Sequence, residues 1–128
     1  MTKKAPKRPR PRKKPAVPRL STELTAAVAA ALDKKAADVI VLDLTKASAF
    51  TDFFVICTGA NLRQVQAIAD AVQESVGTKP ALVEGYSRGE WVLIDYFDFI
   101  VHVFQPPTRQ FYSLERLWGD AERVEVSA

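Results

Sequence analysis

Two short apolar runs do most to limit what this chain can become. Val39-Ile40-Val41-Leu42 stands between Asp38 and Asp43, and Phe53-Phe54-Val55-Ile56-Cys57 follows a short way on. Neither approaches the roughly 18 residues of a membrane span. Neither alternates apolar with polar as a half-exposed strand does. A strand that is apolar on both faces must be covered on both, so the two runs read as buried strands in a layered domain.

The flanking patterns supply the layers. Ser21 is a candidate N-cap. Leu20, Leu24, Val28 and Leu32 recur every fourth residue, giving an amphipathic helix to about Lys35. After Gly59-Ala60-Asn61 a second stripe runs through Leu62, Val65, Ala69, Val72 and Val76. Gly77 stands where a left-handed C-cap residue belongs, and Pro80 prevents continuation. Ala81 to Glu84 reads as a short strand and Gly85 to Glu90 as a polar loop. Trp91 to Asp95 and Phe99 to Phe104 are strands so close in sequence that they form a hairpin. Pro106-Pro107 then starts a last helix with Phe111, Leu114 and Trp118 as its buried stripe, ended by Gly119. The expected order is α-β-β-α-β-β-β-α: an α/β fold with a mixed sheet of about five strands packed by helices.

Charge divides the chain unevenly. Residues 1–19 hold nine of the eighteen Lys and Arg and no acid, with five of the eight prolines. The other nine bases face all fifteen acids, so residues 20–128 carry −6. An acidic domain over 20–119 is therefore expected between a basic, Pro-rich tail, disordered when free, and a short C-terminal tail over 120–128. Lys3, Lys4, Lys7, Arg8, Arg10, Arg12, Lys13 and Lys14 are candidate RNA phosphate contacts. No aromatic residue interrupts them for base stacking, so sequence readout is not expected. The N-terminus has no signal-peptide h-region, and a cytoplasmic location is expected.

Few residues offer covalent chemistry. Cys57 is the single cysteine and sits inside an apolar run, where it reads as a small buried hydrophobe. His102 is the single histidine, and no nucleophile stands at a recognisable spacing from it. Thr58-Gly59-Ala60-Asn61 opens a helix, a place suited to anions. The Asp-x-Asp pair of a metal-dependent nucleotidyl transfer is missing, the nearest spacing being Asp120-Ala121-Glu122. No cofactor motif is present, and a binding protein rather than an enzyme is expected.

The hairpin separates into two faces. With Tyr96-Phe97 at its tip, Asp95 faces Asp98, Leu93 faces Ile100 and Trp91 faces His102. Side chains alternate across a strand, so Val92, Ile94, Phe99, Val101 and Val103 share one apolar face that belongs to the core. The other face mixes an aromatic anchor with aliphatics and acids, as an interface does. With the tip it forms the candidate partner-binding set: Trp91, Leu93, Asp95, Tyr96, Asp98, Ile100 and His102.

Several signatures stand in a fixed order: Thr58-Gly59, Arg63-Gln64-Val65 and Ala67-Ile68-Ala69-Asp70, then Glu84-Gly85 and Trp91-Val92-Leu93-Ile94-Asp95. Asp98 follows, with Val101-His102-Val103-Phe104, Tyr112 and Leu114-Glu115-Arg116-Leu117-Trp118. From about Leu20 to Trp118 this order resembles the Iojap family, the ribosomal silencing factors of bacteria and organelles. The resemblance implies a nucleotidyltransferase-like α/β fold without catalysis. It implies docking on the large ribosomal subunit through ribosomal protein fourteen, at the inter-subunit face, where bulk blocks joining of the small subunit. It also implies a homodimer when free. The rival readings are a nucleotidyltransferase-like enzyme and a general RNA-binding module with its affinity in the tail. The family usually has Gly where this chain has Phe97, which puts the hairpin turn and its register in question.

Overall fold

The computed structural model describes residues 20–47, 49–124 and 126. The readings placed on residues 1–19 lie outside that range. The described chain runs through α1 (Thr22–Asp33), β1 (Ala37–Asp43), β2 (Phe53–Thr58), α2 (Leu62–Val76) and β3 (Leu82–Glu84). It continues through β4 (Trp91–Asp95), β5 (Phe99–Phe104), α3 (Pro106–Tyr112), α4 (Leu114–Leu117) and β6 (Glu122–Val124).

Local chemistry sets the helix ends. The Leu24 N–H donates to Ser21 Oγ at 3.0 Å, starting α1 where expected. Asn61 Oδ1 accepts from the Gln64 N–H at 2.9 Å, and Gln64 Oε1 accepts from the Ala60 N–H at 2.7 Å. This reciprocal pair has the logic of a capping box at the start of α2. Gly77 ends α2 at φ +79°, a conformation that costs glycine little.

The strands form one sheet in the order β3-β4-β5-β2-β1-β6. The central pair, β2 and β5, is parallel, and the other pairs among the described residues are antiparallel. All six residues of β5 are buried, as are five of the six in β2, which accounts for their unbroken apolar runs. Helices α1 and α2 pack together over one face, closing a core that includes Leu24, Val28, Ile68, Val72, Val55 and Val101. The opposite face carries a second cluster of Leu42, Leu44, Phe54, Ile56, Ile100 and Phe104, partly covered by Leu114 and Trp118.

Two expectations are corrected here. Among the described residues the sheet has six strands, because Glu122–Val124 pairs with β1 through Val41↔Val124 and Asp43↔Glu122. That strand lies in the segment expected to be a tail. It has only one buried residue, Val124, so it gives no run to detect. The last helix is also two short helices. Ser113 takes a left-handed φ of +47°, which breaks the stripe and leaves Phe111 80% exposed.

The hairpin register differs from expectation by two residues. Trp91 pairs with Phe104, Leu93 with His102 and Asp95 with Ile100. Phe97 and Asp98 alone form the loop, since the Tyr96 N–H donates to the Phe99 carbonyl at 2.9 Å. A slip of one residue would exchange the faces, whereas a shift of two preserves them. The face assignment therefore survives. Phe97 takes φ +71°, the conformation for which glycine is suited, at a cost of about 1–2 kcal/mol. Three bonds oppose that cost. The Phe97 N–H donates to Asp95 Oδ1 at 2.8 Å, Thr51 Oγ1 donates to the Phe97 carbonyl at 2.7 Å, and the Asp52 N–H donates to the Asp98 carbonyl at 3.0 Å.

Candidate docking face

Alternation along β4 and β5 places Trp91, Leu93 and Asp95 on the same side as Ile100, His102 and Phe104. This is the face that α1 and α2 leave uncovered. Gly85 fits the entry to β4, because at φ +81° a Cβ there would lie 2.0 Å from the Trp91 carbonyl oxygen. A side chain at that position would push β4 away and displace the indole.

Trp91 sits at the centre of an aromatic chain. Its ring centroid lies 4.9 Å from Phe104 and 4.8 Å from Tyr112, and its indole N–H donates to His102 Nδ1 at 3.1 Å. Phe54 meets His102 edge-on at 4.5 Å and Trp118 at 5.9 Å. Such tilted and edge-on pairs are the favoured aromatic geometries. Tyr112 is 50% exposed, Trp91 and Leu93 are half-buried, and α3 and α4 contain no buried residue. The result is a firm aromatic floor that stays open to solvent.

The expected set does not arrive intact. Trp91 and Leu93 reach the surface together, with Asp95 at one end and Asp98 in the adjoining loop. Ile100 and His102 are on this face but only 3% exposed, so they lie beneath it. Tyr96 points the other way. Its ring stacks on Phe99 at 5.0 Å and joins the helix-side core, where burial pushes its hydroxyl pKa upward. Alternation breaks at a turn, so Tyr96 cannot be assigned a face by counting.

Acids gather at one end of the sheet. Asp43 ends β1, Asp52 precedes β2, Asp95 ends β4 and Asp98 precedes β5. Asp52 is held above the usual carboxylate range by burial and by the charges of Asp98 and Asp43. Beside them, Asp43, Asp120 and Glu122 line a cleft of about 610 Å³ with Lys46 and Trp118. Phe50 and Phe97, 77% and 74% exposed, project from the two loops at this end.

Arg109 was not singled out by sequence pattern. Its Nη1 donates to the Asp38 carbonyl and to Thr58 Oγ1, both at 2.8 Å, and its Nη2 meets Glu115 at 2.8 Å. These contacts tie α3 to the ends of β1 and β2 and so hold Tyr112 over Trp91. A lone Arg whose partners lie 51 and 71 residues away leaves no local signal.

The groups considered for catalysis have other work. At the start of α2, side chains of Asn61 and Gln64 occupy the Gln64 and Ala60 N–H donors. Asp95 accepts from the hairpin loop. Cys57 is buried, and that burial pushes its thiol up to about 12 against the opposing charge of Arg109. His102 is pushed down to about 4 by burial and stays neutral near pH 7. Because its Nδ1 accepts the Trp91 proton, the ring proton must sit on Nε2. That atom is buried without a hydrogen-bond partner among the described residues.

Comparison with known proteins gives a consistent result. The family described as "Ribosomal silencing factor during starvation" matches residues 17–128. "Ribosomal silencing factor RsfS" of Halalkalibacterium halodurans is 46% identical over 106 residues, covering 80% of this chain and 91% of that protein. The Bacillus subtilis protein of the same name is 43% identical over 106 residues, covering 80% and 90%. A crystal structure of a Chromobacterium violaceum protein superposes with a TM-score of 0.73 at 35% identity, covering 83% of this chain and 88% of that one.

Proposed function

We propose, from the premise that this chain belongs to the ribosomal silencing factor family, that it silences ribosomes by docking its open aromatic face on the large subunit. The family is one of regulatory factors, and the mechanism proposed is steric, with no covalent step. The partner is ribosomal protein fourteen at the inter-subunit face, and the bulk of the bound domain keeps the small subunit from joining. The protein works in the cytoplasm, where ribosomes are its targets.

The observation that carries this reading is the half-open Trp91, packed on Phe104 and Tyr112 and flanked by Leu93. An aromatic anchor beside aliphatic surface, with Asp95 at one end, has the anatomy of a binding hot spot. Asp95 and Asp98 stand at that edge and face lysines or arginines of the partner. Ile100 and His102 act from beneath by setting the floor. An acidic domain is drawn to a basic ribosomal protein and repelled by bulk RNA, which favours correct placement. The basic residues from Lys3 to Lys14 contact nearby ribosomal RNA and offset part of that repulsion. In the free protein the same apolar face supports a homodimer, which docking displaces.

Sedimentation with purified bacterial subunits tests the reading. The protein should travel with the large subunit, not the small one, and should prevent mixed subunits from forming whole ribosomes. Deleting residues 1–19 should leave binding detectable at low salt while flattening its salt dependence. Loss of all binding on that deletion would move the docking element into the tail. Co-sedimentation with no effect on subunit joining would remove the steric mechanism.

A further inference from the structure

We propose that His102 is the positioning residue of the docking face, holding the Trp91 indole in the orientation in which it meets the partner. The inference rests on the docking reading above and adds a specific role for a buried side chain.

Four observations converge on His102. Its Nδ1 receives the Trp91 indole N–H at 3.1 Å, a full hydrogen bond in an apolar setting. The imidazole is itself clamped, with Phe54 edge-on at 4.5 Å and Phe104 near-parallel at 6.1 Å. It lies on β5, where every residue is buried, so the acceptor cannot wander. Its other nitrogen is buried and unpaired among the described residues. A buried polar group with half its hydrogen-bonding capacity unused costs stability, and packing alone would be better served by an apolar ring. Among the described residues, the side-chain hydrogen bond that His102 does make is to Trp91.

Orientation matters because a half-buried indole has alternatives. Its χ angles allow the ring to swing outward when the N–H has no partner, exposing its edge instead of its face. Phe104 and Tyr112 pack on the ring at 32° and 45°, but neither contact engages the indole N–H. The bond to His102 adds the directional restraint. Preorganisation of this kind improves affinity by removing an ordering cost at binding.

Two substitutions separate the hydrogen bond from the packing. His102→Phe keeps a ring in an apolar site but removes the acceptor. His102→Asn places Oδ1 close to the former Nδ1 but loses ring volume. In full-length ¹⁵N-labelled protein, with Trp118→Phe assigning the two indole signals, His102→Phe should shift the Trp91 indole N–H resonance and speed its exchange. Its melting temperature should be preserved. Its affinity for purified bacterial large subunits should fall about three- to tenfold, the worth of one net hydrogen bond. His102→Asn should melt lower yet, assayed well below its melting point, bind within about twofold of the unsubstituted protein.

Unchanged binding by His102→Phe, or an Asn variant as weak as the Phe variant, overturns the positioning role. Trp91→Ala tells that failure apart from failure of the docking reading. If Trp91→Ala binds poorly while His102→Phe binds normally, only this inference falls. Normal binding by Trp91→Ala removes the docking face and the inference together.

Discussion

Arg109 and Glu115 meet at 2.8 Å across the left-handed break at Ser113, so one ion pair joins two helices too short to stand alone. The Arg109 side chain is mostly buried and also bonds to Asp38 and Thr58. Burial alone would raise the Glu115 carboxyl pKa. Its own backbone N–H and Arg109 reverse that and hold it below the usual range.

Arg109→Met should therefore destabilise the protein by about 2 kcal/mol, because it leaves the Thr58 hydroxyl and the Asp38 carbonyl short of a donor. The loss should be local first. Amide hydrogen exchange should quicken over Thr108 to Trp118 while β2 and β5 stay protected. If exchange in that segment does not change, Arg109 is not its anchor.

Phe97→Gly should stabilise the hairpin. The phenyl ring is 74% exposed and contributes little burial, whereas its φ of +71° is unfavourable for any residue with a Cβ. Part of the gain is lost to the greater freedom of glycine in the unfolded chain, leaving about 0.5–1 kcal/mol. Urea unfolding measures it, and a lower midpoint would show that the ring has a packing role.

What could be read from the sequence follows the range of each interaction. Ser21, Gly77 and the two helical stripes were legible because capping and amphipathicity act within one turn. The buried strands were legible because central position in a sheet demands apolar residues on both sides. Faces of the hairpin could be read from alternation even though the pairing was two residues off, since only odd shifts exchange faces. The register itself depended on how Phe97 would turn. Where contacts span the chain, the signal vanished: β6 pairs three mostly exposed residues with β1, and Arg109 reaches partners more than fifty positions away. Burial of Ile100 and His102 was hidden for the same reason, because Phe54 and Trp118 come from elsewhere to cover them.

Replacing Asp95 and Asp98 together with Asn should slow association with the large subunit in low salt and change little in high salt. Rim charges act mainly on encounter rate. The fold should tolerate the change, since the amide oxygen that Asp95→Asn introduces can still accept from the Phe97 N–H, which Asp95 now holds at 2.8 Å. Removing the charge of Asp98 also relieves its repulsion of Asp52. Stopped-flow mixing at two salt concentrations reads the effect, and equal rates in both would take these acids out of the interface.

Acid should expose His102. Burial lowers its pKa from the ordinary 6.5 to about 4. Below pH 6.5 the unfolded chain takes up a proton that the folded protein resists. The stability associated with the neutral imidazole is present above pH 6.5 and is lost as pH falls through about 4. A difference of that size corresponds to roughly 3 kcal/mol across the window. Protonation would also occupy Nδ1 and expel the Trp91 N–H, so the docking face should loosen along with the fold. Carboxylates titrate in part of the same range, and His102→Phe isolates the histidine. Between pH 6.5 and 4 the Phe variant should lose less stability than the unsubstituted protein in matched urea titrations. If the two curves fall in parallel, the buried imidazole does not govern acid sensitivity.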